Sequence, residues 1–184
     1  MAKTDEELIS EAREGDNEAF REIVNRYESL VASTVIGMLG RCPEADDVGQ
    51  ETFIRFYNSL KKFRGESGVG TYLTRIAINL SLNELKRRKR RMWIFPGITE
   101  EDESRIGTED EEFDRKETKS IVQQAIHKLA PEFRSVIVLR LISGYTPDET
   151  ANILGIPVGT VFSRLARAQK KLKVILKDHL QGEI

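Results

Sequence analysis

One cysteine, two histidines, five prolines and a single tryptophan in 184 residues narrow the possibilities at once. A lone Cys42 excludes a disulfide within the chain and a cysteine-rich zinc site, and so fits a reducing compartment. It reads as a small buried hydrophobe. His127 and His179 have no nucleophile or ligand partner at a useful spacing, and no glycine-rich phosphate loop or catalytic constellation is present. No metal, no cofactor and no enzymatic activity are therefore expected. The most apolar stretch, Leu30 to Leu39, is too short to span a bilayer, and the opening MAKTDEEL has no apolar signal core. The expectation is a cytoplasmic protein with no membrane insertion.

What is present is charge, and it is segregated. The net charge is −1, yet residues 1–60 carry 13 acidic against 6 basic side chains and residues 61–91 carry 10 basic against 2 acidic. Residues 98–117 are again acidic, 10 against 3, and residues 158–177 hold 6 cations and no anion. Two basic blocks between acidic ones point to two places that touch a polyanion.

The hydrophobic pattern is helical throughout. Thr4 and Glu7 form a capping box for a short helix that Gly15 stops. Asp16 or Asn17 caps a second helix running towards Leu39, with Phe20, Ile23, Val24, Tyr27, Leu30 and Val31 on one face. A third helix is expected over 44–60, with Phe53, Phe56, Tyr57 and Leu60 as its core stripe. Asp47, Gln50 and Glu51 group on its other side. That group fits a docking surface, a carboxylate metal site with Asp46, or a plain solvated face.

The stretch 63–91 is the most informative. A loop with three glycines between Gly65 and Gly70 leads into a long helix. Leu73, Ile76, Ala77 and Leu80 fall on one side of it, and Tyr72, Arg75, Asn79, Asn83, Lys86 and Arg90 on another. An aromatic, two amides and three cations in one stripe suit nucleic acid. Cations hold phosphates, amides bond base edges, and a ring stacks on an unpaired base. The basic run Lys86 to Arg91 closes the helix, and Trp93, Phe95 and Pro96 are expected to end it.

A polar, acidic stretch over 96–117 reads as a flexible linker, so the expected organisation is all-α: a helical domain over 1–95 and a second over 118–184. In the second domain Phe133, Val136, Ile137 and Leu141 mark one helix. Thr146-Pro147-Asp148-Glu149 then starts a short helix with both a cap and a first-turn proline. Gly155-Ile156-Pro157 turns the chain into a final basic helix. Short helix, tight turn and longer basic helix make a helix-turn-helix pattern. Val161, Leu165, Ala168 and Leu172 face inward there, while Gly159, Ser163, Ala166 and Lys170 face away, flanked by Phe162 and Arg167.

Five motifs in this order resemble the bacterial extracytoplasmic-function sigma factors of RNA polymerase. They are Gly15 to Phe20, Asp46 to Phe53, Phe63-Arg64-Gly65 with Thr71 to Asn79, Leu129 to Arg134, and Gly155 to Val161. The resemblance implies that the first domain is sigma region 2 and the second a region 4 helix-turn-helix. It implies that Asp47, Gln50 and Glu51 dock on the clamp coiled coil of core RNA polymerase. Phe63, the loop Gly65 to Thr71 and Asn79 match a pocket for a base flipped from the −10 element. Arg64, Tyr72, Arg75, Asn83, Lys86 and Arg90 complete the −10 face. Ser163, Arg164 and Arg167, with Thr160, Phe162 and Lys170, match the −35 face. Core polymerase, promoter DNA and an anti-sigma factor are the implied partners. Tyr72 stands where the family often has tryptophan, and Phe162 where a cation is usual. Phe162 either meets a thymine methyl or packs on its own helix's flank.

Overall fold

A computed structural model describes residues 3–94 and 121–181, with side chains to residue 177. The acidic stretch 96–117 and the expected domain start near 118 lie outside the described residues. Among the described residues there are helices and turns and no strand. None of these helices is long and apolar enough to cross a membrane.

The first unit has four helices. Helix α1 (Asp5–Arg13) starts at the Thr4–Glu7 capping box and buries Leu8, Ile9 and Ala12. Asp16 caps α2 (Asn17–Leu39) by accepting from the Glu18 and Ala19 backbone N–H groups. Helix α3 (Pro43–Ser59) has proline in its first turn, where the missing N–H costs nothing, and runs into a 3-10 turn, Leu60–Lys62. Helix α4 (Val69–Ile94) is long, and it extends past Trp93 rather than stopping before it. At Gly70 a Cβ would meet the Leu30 and Tyr27 side chains at 3.1 Å, so α4 lies close against α2 there and a side chain would make these neighbours shift. Leu8, Ile23, Met38, Phe56, Leu73, Ala77 and Ile78 form the centre of this core.

The second unit comprises α5 (121–127), α6 (Pro131–Ile137), α7 (Pro147–Leu154) and α8 (Val158–Gln181). The α7 capping box between Thr146 and Glu149 forms as the sequence pattern requires, and Gly155 closes the helix in the left-handed region, φ 63°. Helix α6 does not continue regularly. Residues Val138–Ile142 wind as a π-turn. The wider turn shifts the apolar register, so Val138 and Leu139 point inward while Leu141 is 54% exposed, against the expected core role for Leu141. Tyr57 is likewise 45% exposed instead of lying in the α3 core stripe, with only one ring edge, on Phe20, packed against it.

The second unit has two small cores of its own and adds three residues to the first unit's core. Val138, Leu139 and Ile153 are buried with the residues of the first unit. Removing each from water is worth about 2 kcal/mol as an upper figure, shared with its own unit. Val138 sits over Gly37, where a Cβ would come within 3.0 Å of its methyl. The polar seam is equally specific. Arg134 is 8% exposed and donates from Nη1 to the Met38 carbonyl at 2.6 Å, and from Nη2 to the carbonyls of Leu129, at 3.1 Å, and His127. His127 Nε2 lies 3.2 Å from the Ile36 carbonyl. The Tyr145 hydroxyl pairs with Thr74 Oγ1 at 2.8 Å.

Two predictions follow from this seam. Burial, then the Arg134 guanidinium, hold the His127 imidazole below its ordinary pKa, and Arg88 pushes the same way. Above about pH 6.5 the residue is neutral folded or unfolded and adds no pH dependence. Below that the unfolded chain takes up the proton first, so stability falls with pH. His127→Gln should flatten the fall in melting temperature between pH 7 and pH 5.5; an identical fall in the variant would assign the effect to another group. Separately, Gly37→Leu forces a side chain against Val138 and should cost about 1–3 kcal/mol of packing. Small-angle scattering should show a larger radius of gyration with helix content retained, and an unchanged radius would mean that the seam accommodates the wedge.

Candidate polymerase and nucleic-acid interface

Helix α3 buries Ala45, Val48, Thr52 and Phe56, which fixes the opposite side to solvent. Asp47 and Gln50 are exposed there and Glu51 is half-exposed, its carboxylate paired with Arg55 Nε at 2.7 Å. Among the described residues no group of three or more His, Cys, Asp or Glu could hold a metal ion, so Asp46, Asp47 and Glu51 do not form a metal site. The same stripe continues at helical spacing through Ile54, 54% exposed, to Tyr57. Sequence reasoning missed this apolar extension. The 47, 50, 54, 57 spacing points to it, but Tyr57 also fits the i, i+3, i+4, i+7 stripe of Phe53, Phe56 and Leu60, and that spacing assigns it to the core.

The second face begins where α3 ends. Phe63 is 7% exposed and packs edge-on to Phe56, ring centroids 5.7 Å apart, and to Tyr72 at 5.0 Å. The residue therefore forms a floor rather than a free stacking platform. Arg13 of α1 holds that floor in place, donating from Nε to the Leu60 carbonyl at 2.9 Å and from Nη2 to the Phe63 carbonyl. Arg64 is exposed in the loop that follows, 3.7 Å from Glu66.

Helix α4 carries the face onward. Leu73, Ala77, Ile78, Leu80 and Ser81 are buried; Tyr72 and Arg75 are half-buried; Asn79, Asn83, Lys86 and Arg90 are exposed. Arg75 Nε is buried with no hydrogen-bond partner. The structure divides the basic run in a way that its composition hides. Glu84, 8% exposed, pairs with Arg87 at 2.7 Å and with Arg88 and Arg91 at 3.5 Å. Glu44, at the start of α3, pairs with Arg88 at 3.1 Å and Arg91 at 3.9 Å. Its own backbone N–H, then Arg88 and Arg91, hold the Glu44 carboxyl below the ordinary range. Three of the six cations are thus paired, and two of them, Arg88 and Arg91, tie α4 to α3. Lys86, Lys89 and Arg90 have no ion-pair partner among the described residues and face solvent.

The third face is the outer side of α8. Val161 and Ala168 are fully buried, with Leu165 and Leu172 packed beside them, so the helix is set by its inner stripe. Phe162, Ser163, Arg167 and Lys170 are exposed, while Thr160 and Arg164 are half-buried. Phe162 is 56% exposed and belongs to none of the core clusters. Ser163 Oγ donates to the Thr160 carbonyl at 3.1 Å. Lys171, on another side of the helix, lies 5.7 Å from the centre of the Phe133 ring.

Comparison with known proteins matches the chain to a family. The chain matches Sigma-70 region 2 over residues 23–91 and Sigma-70 region 4 over residues 119–172. It is 34% identical to the ECF RNA polymerase sigma-E factor of Haemophilus influenzae, over 92% of this chain and 94% of that protein. It is 31% identical to the ECF RNA polymerase sigma factor SigW of Bacillus subtilis, over 92% and 95%. Among solved structures it resembles CnrH in complex with the cytosolic domain of CnrY, with a TM-score of 0.67, 28% identity, and 95% and 97% of the two chains covered. The fold also matches the sigma factor RpoE of Bartonella quintana, solved with the anti-sigma factor NepR, at a TM-score of 0.71, 22% identity, and 86% and 96% coverage. Both halves of the chain and nearly its full length are accounted for, and the chain belongs to the extracytoplasmic-function family of RNA polymerase sigma factors.

Proposed function

We propose that this sigma factor works through the three faces just described, each a polar stripe whose opposite side builds the core. The α3 stripe of Asp47, Gln50 and Glu51 docks on core RNA polymerase. The α8 face, with Thr160, Phe162, Ser163, Arg164, Arg167 and Lys170, lies in the major groove of the −35 element. The face made by Phe63, Arg64, Tyr72, Arg75, Asn79, Asn83, Lys86 and Arg90 takes the −10 element as an opened strand. Sigma factors are not enzymes, and the work here is positional. Unstacking a base costs a few kcal/mol, which pocket bonds and stacking offset. The cytoplasm, where polymerase and promoter DNA reside, is the compartment of action.

The observation that carries this reading is the division of α4. One helix holds a continuous buried stripe on one side. On the other it holds two exposed amides and cations left free by the Glu84 and Glu44 pairs. Amides beside free cations are the means to hold a base and its phosphate together. An anti-sigma factor is a third partner, a reading that the CnrH relative, solved bound to the cytosolic domain of CnrY, supports.

Asn79→Ala removes an exposed side chain and should leave the fold and polymerase binding intact. Loss of one base contact worth about 1–3 kcal/mol should reduce open-complex formation roughly tenfold or more. Permanganate footprinting on a cognate promoter measures it, and unchanged melting would remove Asn79 from the pocket. The pair Gln50→Ala and Glu51→Ala breaks only the exposed Arg55 pair, worth about 0.3–0.5 kcal/mol. The melting temperature should barely move while co-purification with core polymerase drops. Wild-type yield would relocate the docking face.

A further inference from the structure

The tip of α4 carries two apolar side chains that no core uses. Trp93 is 85% exposed and Ile94 54%, and neither belongs to a core cluster. Trp93 has the largest exposure of any large hydrophobic among the described residues. Single apolar side chains at a surface are ordinary, but these two adjoin charge. Lys86, Lys89, Arg90 and Trp93 stand at i, i+3, i+4 and i+7, so they form one stripe of the helix, and Ile94 lies one turn beyond Arg90. The three cations are exposed and have no ion-pair partner among the described residues, because Glu84 and Glu44 take Arg87, Arg88 and Arg91 instead. From Lys86 to Trp93 the stripe is about 10 Å long at 1.5 Å per residue. Its outer end is an indole and an aliphatic side chain, and one to two turns behind them it is cationic.

The two ends of this stripe need different surroundings at adjoining depths. An anionic bilayer supplies both: headgroup phosphates for the cations and, just beneath them, the acyl boundary for the apolar pair. Tryptophan is enriched at that level because its ring is apolar and its N–H is polar. Duplex DNA would take the cations on its phosphates, but it gives Ile94 no bond to make and Trp93 a base to stack on only where the strand is opened. We propose that the tip of α4, Lys86 to Ile94, docks on the surface of an anionic phospholipid bilayer, with Trp93 and Ile94 in the headgroup region and Lys86, Lys89 and Arg90 on the lipid phosphates. The contact is peripheral, since α4 is not long and apolar enough to cross. It stands independently of the reading of α4 as the −10 face. Where that reading also holds, Lys86 and Arg90 cannot serve strand and bilayer at once, so the membrane surface keeps the protein off the promoter.

Trp93 is the chain's single tryptophan, which makes the test site-specific. The full-length protein is mixed with vesicles of equal parts phosphatidylglycerol and phosphatidylcholine, or of phosphatidylcholine alone, and Trp93 emission is read together with co-sedimentation. Emission should shift to the blue with the anionic vesicles only, bromine-labelled acyl chains should quench it, and binding should weaken as salt rises. Lys89→Gln should lower the partition constant about fivefold, the worth of one cation near an anionic surface. Trp93→Ser with Ile94→Ser should lower it about tenfold or more, read by sedimentation because the fluorophore is gone. These three side chains are exposed, so helix content should not change. No blue shift, or an equal shift with neutral vesicles, would overturn the proposal. Sedimentation of the serine double variant at the wild-type level would mean adsorption through charge alone and would overturn the α4 tip as the site. A shift seen only in holoenzyme on a fork-junction promoter would assign Trp93 to DNA and overturn the bilayer contact as well. Core polymerase with that promoter should strip vesicle-bound protein from the lipid. Retention on vesicles that the wild type otherwise binds as expected would remove Lys86 and Arg90 from the −10 face and leave the lipid site standing.

Discussion

The C-terminal end of α2 is the point on which the arrangement depends. A helix leaves its last four carbonyls without intrahelical partners and concentrates partial negative charge there. In this chain that end is buried between elements, so water cannot satisfy it. Arg134 from α6 takes the Met38 carbonyl, Arg88 from α4 reaches the Leu39 carbonyl at 3.4 Å, and His127 from α5 reaches Ile36. Two guanidinium groups and an imidazole from three different helices therefore meet at one helix terminus. The same contacts fix α4 against α2 and join the second unit to the first. Removing Arg134 would leave carbonyls of two helices unmet at once, because its other nitrogen serves the end of α5.

Charge inside the fold also sorts charge on its surface. A run of six cations on one helix repels itself, and the chain answers with Glu84 just before the run and Glu44 from α3. Those two carboxylates select Arg87, Arg88 and Arg91 for structure and leave Lys86, Lys89 and Arg90 for a partner. The selection is geometric. Glu84 lies three, four and seven residues before its partners, so all share one side of the helix, where two carboxylates offset two of the three charges. The outward side keeps its charge beside the amides of Asn79 and Asn83. Arg13 acts similarly at the other end, placing its hydrogen bonds on the Leu60 and Phe63 carbonyls.

Much of this was legible before any coordinates. The capping boxes at Thr4 and Thr146, the Asp16 cap, the Gly155 turn and the inner stripe of α8 are local features. They rest on i to i+3 hydrogen bonds and on 3.6-residue periodicity, which a sequence states directly. The outward face of α4 is of the same kind, as is the separation of acidic from basic blocks. The family resemblance rested on these local motifs too, which is why it covered nearly the whole chain.

Tertiary structure decided what depends on neighbours far away in the chain. Tyr57 and Leu141 have the residue type and spacing of core positions, yet one is left half outside with the Phe20 ring against it and the other is turned out by a π-turn. His127 shows no ligand spacing, but folding carries it 91 residues across to the Ile36 carbonyl, where burial and Arg134 lower its affinity for a proton. Which cations are free, that Phe63 is a floor, and that Arg13 holds it in place were likewise set by packing. Local chemistry specifies helices and the character of their faces because its interactions span one turn. The pairing of those faces is a property of the whole core, since each buried charge or carbonyl must find its partner in whichever element the fold brings beside it.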